Sequence, residues 1–198
     1  MKPKSRLFCM ILSCMLLLCG CGTKQTGPTI ARTEFPEKTQ RILQPLEGDT
    51  QFFDFTTDAS ITESVVTVRY CQDGTWQEPE ALLELSDIQP GEYHLILRWV
   101  EDRVDAFIVE DGASYSNTYP LASEWLGAFN ASVTASTVGF GSVTASTVGF
   151  GSVKPIVAGE EIPLWCHYGS NTEEISAQSS DYSTSDCDTG LVIAITFS

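Results

Sequence analysis

Between residues 50 and 198 the apolar side chains come in short runs cut by Asp-Gly, Pro-Gly and clusters of Asn or Ser, and no sustained helical period links them. This punctuation predicts strands. The clearest unit runs from Val65 to Gln77, where Asp73-Gly74 supplies the two φ > 0 residues of a type I′ hairpin turn. Its register sets Cys71 opposite Trp76 on one face with Val65, and Val66, Val68 and Tyr70 on the other, so both faces are covered. A second hairpin folds Tyr93–Val100 onto Val104–Val109 through Glu101-Asp102-Arg103, between the breakers Pro90-Gly91 and Asp111-Gly112. Setting Trp99 against Val104 also aligns Leu97 with Ala106 and Leu95 with Ile108, a wholly apolar face. On the other face Arg98 meets Asp105, Ile96 meets Phe107 and His94 meets Val109. A one-residue slip would destroy both patterns.

Helical spacing of Trp125, Leu126 and Phe129 behind Ser123, a candidate N-cap, predicts one short helix over Ala122–Asn130. Ile162–Tyr168 and Leu191–Phe197 read as strands, and the near-continuous apolar run of the latter belongs at the centre of a sheet. The resulting fold class is mostly β: a single antiparallel β-sandwich or jelly-roll-like domain over residues 50–198, with at most a short helix. Residues 21–49, punctuated by Pro28, Pro36 and Pro45, read as a flexible tether with one ordered turn at most.

Within the domain, Ser132–Gly141 recurs without a change as Ser142–Gly151, a tandem duplication over residues 132–151. Two copies are too few for a solenoid. The even period preserves which side chains face inward, so a β structure survives the insertion. Each copy reads as a strand of small residues followed by a Gly-Phe-Gly turn. Phe140 and Phe150 are open to two readings, core residues or paired rings at loop tips facing a ligand.

The start of the chain changes the picture. Lys2, Lys4 and Arg6 precede an apolar stretch from Leu7 to Leu18, too short for a membrane span, and Leu18-Cys19-Gly20-Cys21 closes it. This segment resembles the lipobox signal peptide of bacterial lipoproteins. The resemblance implies removal of residues 1–20 and lipidation of Cys21, which would place the protein on the cell membrane, lipid-anchored on the extracytoplasmic face. Removing Lys2, Lys4 and Arg6 leaves eight basic residues against 26 acidic ones, a net charge of −18, where the full chain carries −15. Such a charge argues against a nucleic-acid partner and against electrostatic docking on anionic lipid, so contact with the membrane falls to the lipid anchor.

Candidate chemistry is sparse. Cys71, Cys166 and Cys187 allow one disulfide, and the polar 20-residue segment between Cys166 and Cys187 favours that pair, a closure worth about 3 kcal/mol; the alternative is three buried, reduced thiols. His94 and His167 both fall on strands beside no nucleophile motif, so no catalytic residue is assigned, and no cofactor is implied. Asp181, Asp186 and Asp188, with Gly190, form a loop that partly matches an oxygen-rich calcium site, but the distal bidentate Glu is missing. A solvated acidic loop is the competing reading. The functional expectation is a non-enzymatic accessory or binding domain for a cell-surface protein or a glycan; the alternatives are an extracytoplasmic hydrolase acting on envelope material and a structural accessory without a ligand.

Overall fold

The computed structural model describes residues 27–43, 50–131, 134–139, 153–170 and 187–198. Among them lie the strands β1 (Thr29–Arg32), β2 (Thr50–Thr57), β3 (Glu63–Gln72), β4 (Thr75–Trp76), β5 (Glu80–Ser86), β6 (Gly91–Val100), β7 (Arg103–Glu110), β8 (Ala113–Pro120), β9 (Thr134–Gly139), β10 (Val153–Pro155), β11 (Glu161–Ser170) and β12 (Thr189–Phe197). Two helices join them, α1 (Glu37–Leu43) and α2 (Ser123–Ala131). The strands form two antiparallel sheets packed as a β-sandwich. The first has the order β10-β1-β2-β6-β7-β8; the second has the order β4-β3-β12-β11-β9, with β5 also on β3.

Alternation along each strand explains the sandwich. Ile30, Phe53, Phe55, Tyr93, Leu95, Leu97, Val104, Ala106 and Ile108 turn one face of the first sheet inward. Val66, Val68, Leu83, Leu85, Leu191, Ile193, Ile195 and Phe197 answer from the second. Each such Val, Leu, Ile or Phe side chain contributes about 1.5–3 kcal/mol on leaving water, more than the net contribution of a typical neutral hydrogen bond. Phe55 joins the layers by stacking on Tyr93 at 5.0 Å and meeting Phe197 edge-on at 5.3 Å.

Both hairpins have the expected register. Cys71 pairs with Trp76, and Asp73 and Gly74 take φ of 49° and 73°, the mirror-turn conformation that matches the strand twist. Trp99 pairs with Val104, Leu97 with Ala106, Leu95 with Ile108, and Arg98 with Asp105. The turn is tighter than expected: Val100 already pairs with Arg103, so Glu101 and Asp102 alone make it. Strand β12 lies between β3 and β11, consistent with its apolar run.

Two segments depart from the pattern of the sequence. Thr29–Arg32, inside the stretch read as a tether, pairs with both β2 and β10 and buries Ile30 completely. One apolar residue among polar ones is too little pattern to announce a strand. Second, β11 carries a bulge between Pro163 and Trp165. Proline has no N–H for the ladder, and the extra residue reverses the alternation beyond it, turning Trp165 and His167 into the core beside Ile162.

Candidate functional site

The outer face of the first sheet is built by residues whose alternation leaves them unused by the core. Register places Phe52, Ile96, Phe107 and Ser116 in one cross-strand row, and Ala31, Asp54, His94, Val109 and Ser114 in the next. Phe35, in the connection after β1, sets its ring edge-on against Phe52 at 5.2 Å and lengthens the apolar row. Phe52, Ile96, Phe107 and Val109 are each half-buried. They form an apolar strip across three strands, β2, β6 and β7.

Charged groups are pinned on both sides of this strip. On one side His94 Nδ1 lies 2.7 Å from Asp54 Oδ1, and Thr33 Oγ1 donates to the same oxygen at 2.9 Å. The imidazole is thereby oriented while its side chain stays 60 % exposed. On the other side Arg98 donates to Asp105 Oδ2 through Nε at 3.2 Å and Nη2 at 2.7 Å, with its guanidinium 6.0 Å from the Phe107 ring centre. Thr118 donates to Asp105 Oδ1 at 2.8 Å, and Arg103 Nε lies 3.4 Å from it. Burial alone would raise the Asp105 carboxyl. The hydrogen bonds from Arg98 and Thr118, with the charges of Arg98 and Arg103, outweigh it and hold the group below the ordinary carboxylate value.

Chemically, an Asp-oriented histidine supplies two parts of a nucleophilic triad. Among the described residues no hydroxyl or thiol is hydrogen-bonded to His94, so the third part is not assembled here. The arrangement is suited to recognition: an apolar centre, immobilised donors and acceptors at its margin, and little side-chain entropy left to lose. Sequence reading placed His94 on its strand but did not single out Asp54. The two meet only because β2 pairs with β6, a contact 40 positions apart in the chain.

The other candidates fall elsewhere. Cys21, Phe140, Phe150, Asp181 and Asp186 lie outside the described residues. Asp188 is used through its backbone, its N–H donating to Gly169 O at 3.0 Å and its carbonyl accepting from Gly74 N at 3.1 Å. Among the described residues no group of three or more His, Cys, Asp or Glu side chains is placed to hold a metal ion. His167 is inside the sandwich against Trp99 and Trp165, at ring distances of 4.3 and 4.8 Å, and burial pushes its pKa down to about 3. Trp99 also packs on Trp125, whose Nε1 donates to Gly190 O at 3.0 Å. The tryptophans at 99, 125 and 165 are thus core residues at one end of the sandwich.

The expected Cys166–Cys187 bridge is not formed: no disulfide joins Cys71, Cys166 and Cys187, all three of them buried. Cys166 is opposite Val192 within β12, whereas Cys187 precedes that strand, next to Asp188, whose N–H donates to Gly169 O three residues beyond Cys166.

Among the described residues no helix is long and apolar enough to cross a membrane. The chain matches no protein-family model, no curated protein and no solved structure.

Proposed function

We propose that this chain is a lipoprotein, acylated at Cys21 and held on the extracytoplasmic face of the cell membrane, that takes a protein partner on the outer face of its β1-β2-β6-β7-β8 sheet. The observation that carries the reading is the strip Phe52-Ile96-Phe107, left half-exposed between the Asp54–His94 and Arg98–Asp105 pairs. An apolar centre with a polar margin is how protein interfaces are laid out, and contiguous apolar surface on a sheet is costly to keep without a use. The lipobox-like Leu18-Cys19-Gly20-Cys21 supports the location, and a net charge of −18 on the chain from Cys21 onward favours a partner whose contact surface is neutral or basic.

Photo-crosslinking in intact cells tests the partner directly, with a photoreactive side chain introduced at Ser116 or Thr56 on the face, and at Glu84 on the other sheet as a control. A discrete protein adduct from the face positions, lost on Phe52→Asp or Phe107→Asp, is the expected result. Equal labelling from Glu84, or none, refutes the reading. The rings of Phe35, Phe52 and Phe107 favour one second reading, a glycan laid along the strip, which would instead give retention on envelope polysaccharide without a protein adduct. The anchor has its own test: Cys21→Ala abolishes metabolic labelling with a fatty acid and releases the protein from membranes.

A further inference from the structure

The outer face of the second sheet gathers a smaller core of its own: Cys71, Cys166, Tyr168, Cys187, Val192 and Ala194, with Trp76 packed on it. Its three thiols are not equivalent. Cys71 and Cys166 lie on β3 and β11, separated by the whole of β12 and two positions out of step, since Cys71 is opposite Gly190 and Cys166 opposite Val192. Two strand spacings are about 10 Å, beyond the reach of a disulfide.

Cys187 is held over Cys71 instead. The chain entering β12 is tied at Asp188, whose carbonyl accepts from Gly74 in the β3–β4 turn and whose N–H donates to Gly169 on β11. That clamp brings Cys187 back across the turn. Cys71 Sγ lies 3.6 Å from Cys187 O, and the Cys187 side chain hydrogen-bonds the Cys71 thiol. Gly190 makes room for this: a Cβ there would sit 2.8 Å from Trp76 Cη2 and 3.2 Å from Cys71 Cβ. Cys71 and Cys187 are 116 positions apart in sequence, so only the fold puts them together.

We propose that Cys71 and Cys187 form a disulfide in the oxidised protein, and that Cys166 remains the free thiol. The electrons leave to a disulfide-bearing oxidant, either a small disulfide or a protein dithiol catalyst in its oxidised form. The Cys71 thiolate attacks one sulfur of the oxidant, forming a mixed disulfide and releasing the first oxidant thiol. The Cys187 thiolate then attacks the Cys71 sulfur, closing the bridge and releasing the second. Both protons pass to solvent or to the departing thiolates. Because Cys71 is 1 % exposed and Cys187 5 %, closure belongs to folding, before the second sheet is covered. The thiols are chemically unequal in the same sense: the hydrogen bond with Cys187 lowers the Cys71 pKa, whereas burial pushes Cys166 up to about 11.

The test does not depend on where the protein resides. The full chain is refolded from denaturant with reduced and oxidised glutathione, free thiols are alkylated, and a protease digest is mapped by mass. A linked Cys71–Cys187 peptide with Cys166 alkylated is expected. Linkage of either residue to any other cysteine, or three alkylated thiols at 71, 166 and 187, overturns the proposal. A stability readout guards against folding defects in variants: reductant should lower the melting temperature by about 10 °C in the wild type and in Cys166→Ser. It should have no effect in Cys187→Ser.

Discussion

Gly190 is the residue on which most of this molecule's local geometry converges. It pairs with Cys71 on one side and Tyr168 on the other, and its carbonyl accepts the Trp125 indole N–H. A methyl group there would be driven into the Trp76 ring and Cys71 Cβ, and Cys71 belongs to the backbone of a central strand pair that cannot swing away. Gly190→Ala is therefore expected to destabilise the domain by about 1–3 kcal/mol, the usual cost of overpacking, read as a lower urea midpoint with unchanged slope. In sequence this glycine looks like the end of an acidic loop, and its neighbour Asp188 like a cation ligand. The fold adds packing at Gly190 and a backbone clamp at Asp188, whose partners, Trp76, Cys71 and Gly74, come from a hairpin more than 100 positions away; Asp181 and Asp186, the other residues of that candidate site, lie outside the described residues.

Hairpins are where sequence and structure agree most closely. The β6–β7 register was legible because its evidence is local: an apolar face and a charge pair, Arg98 with Asp105, within eighteen residues. Its turn is less favourable than its strands. Glu101 sits at φ 52°, the left-handed region that costs a side-chain-bearing residue about 1–2 kcal/mol. Replacing Glu101 with glycine removes that strain at the cost of a floppier unfolded chain. The net expectation is a gain of about 0.5–1 kcal/mol in Glu101→Gly, measured by chemical denaturation, with the Trp99 Nε1 bond to the residue-101 carbonyl preserved. Edge elements were the least legible. Ala113–Pro120 is almost entirely exposed and carries no apolar alternation, yet it forms β8, since an edge strand needs backbone pairing on one side and little burial. β1 escaped for a different reason: it pairs on both sides, but Ile30 is a single buried residue among polar ones.

At the scale of the whole molecule, the sandwich buries one titratable group whose protonation it opposes. His167 is neutral in the folded protein, its pKa held down to about 3 by burial, while in the unfolded chain it protonates near 6.5. Above that value the group is neutral in both states and does not bear on stability. As pH falls below it the unfolded chain binds a proton that the folded one refuses, so stability drops by up to about 1.4 kcal/mol per pH unit until the folded pKa is reached. Urea unfolding at pH 7 and pH 5 should show this decline in the wild type, and a flatter profile in His167→Gln. A profile unchanged by the substitution would mean that His167 is solvated in the folded state.

By itself the sequence determined what depends on neighbours in the chain: the mostly β class, the sandwich-forming alternation, two hairpin registers, the helix behind Ser123 and the central place of β12. These rest on turn chemistry and on period-2 burial, both readable over a dozen residues. Only the tertiary structure decided which surfaces the sheets left over. The bulge at Pro163 sent His167 inward, the pairing of β2 with β6 set Asp54 against His94, and the clamp at Asp188 set the Cys187 carbonyl against the Cys71 thiol. Each of these joins residues remote in sequence, and the side chains concerned carry the same local pattern whichever partner they meet.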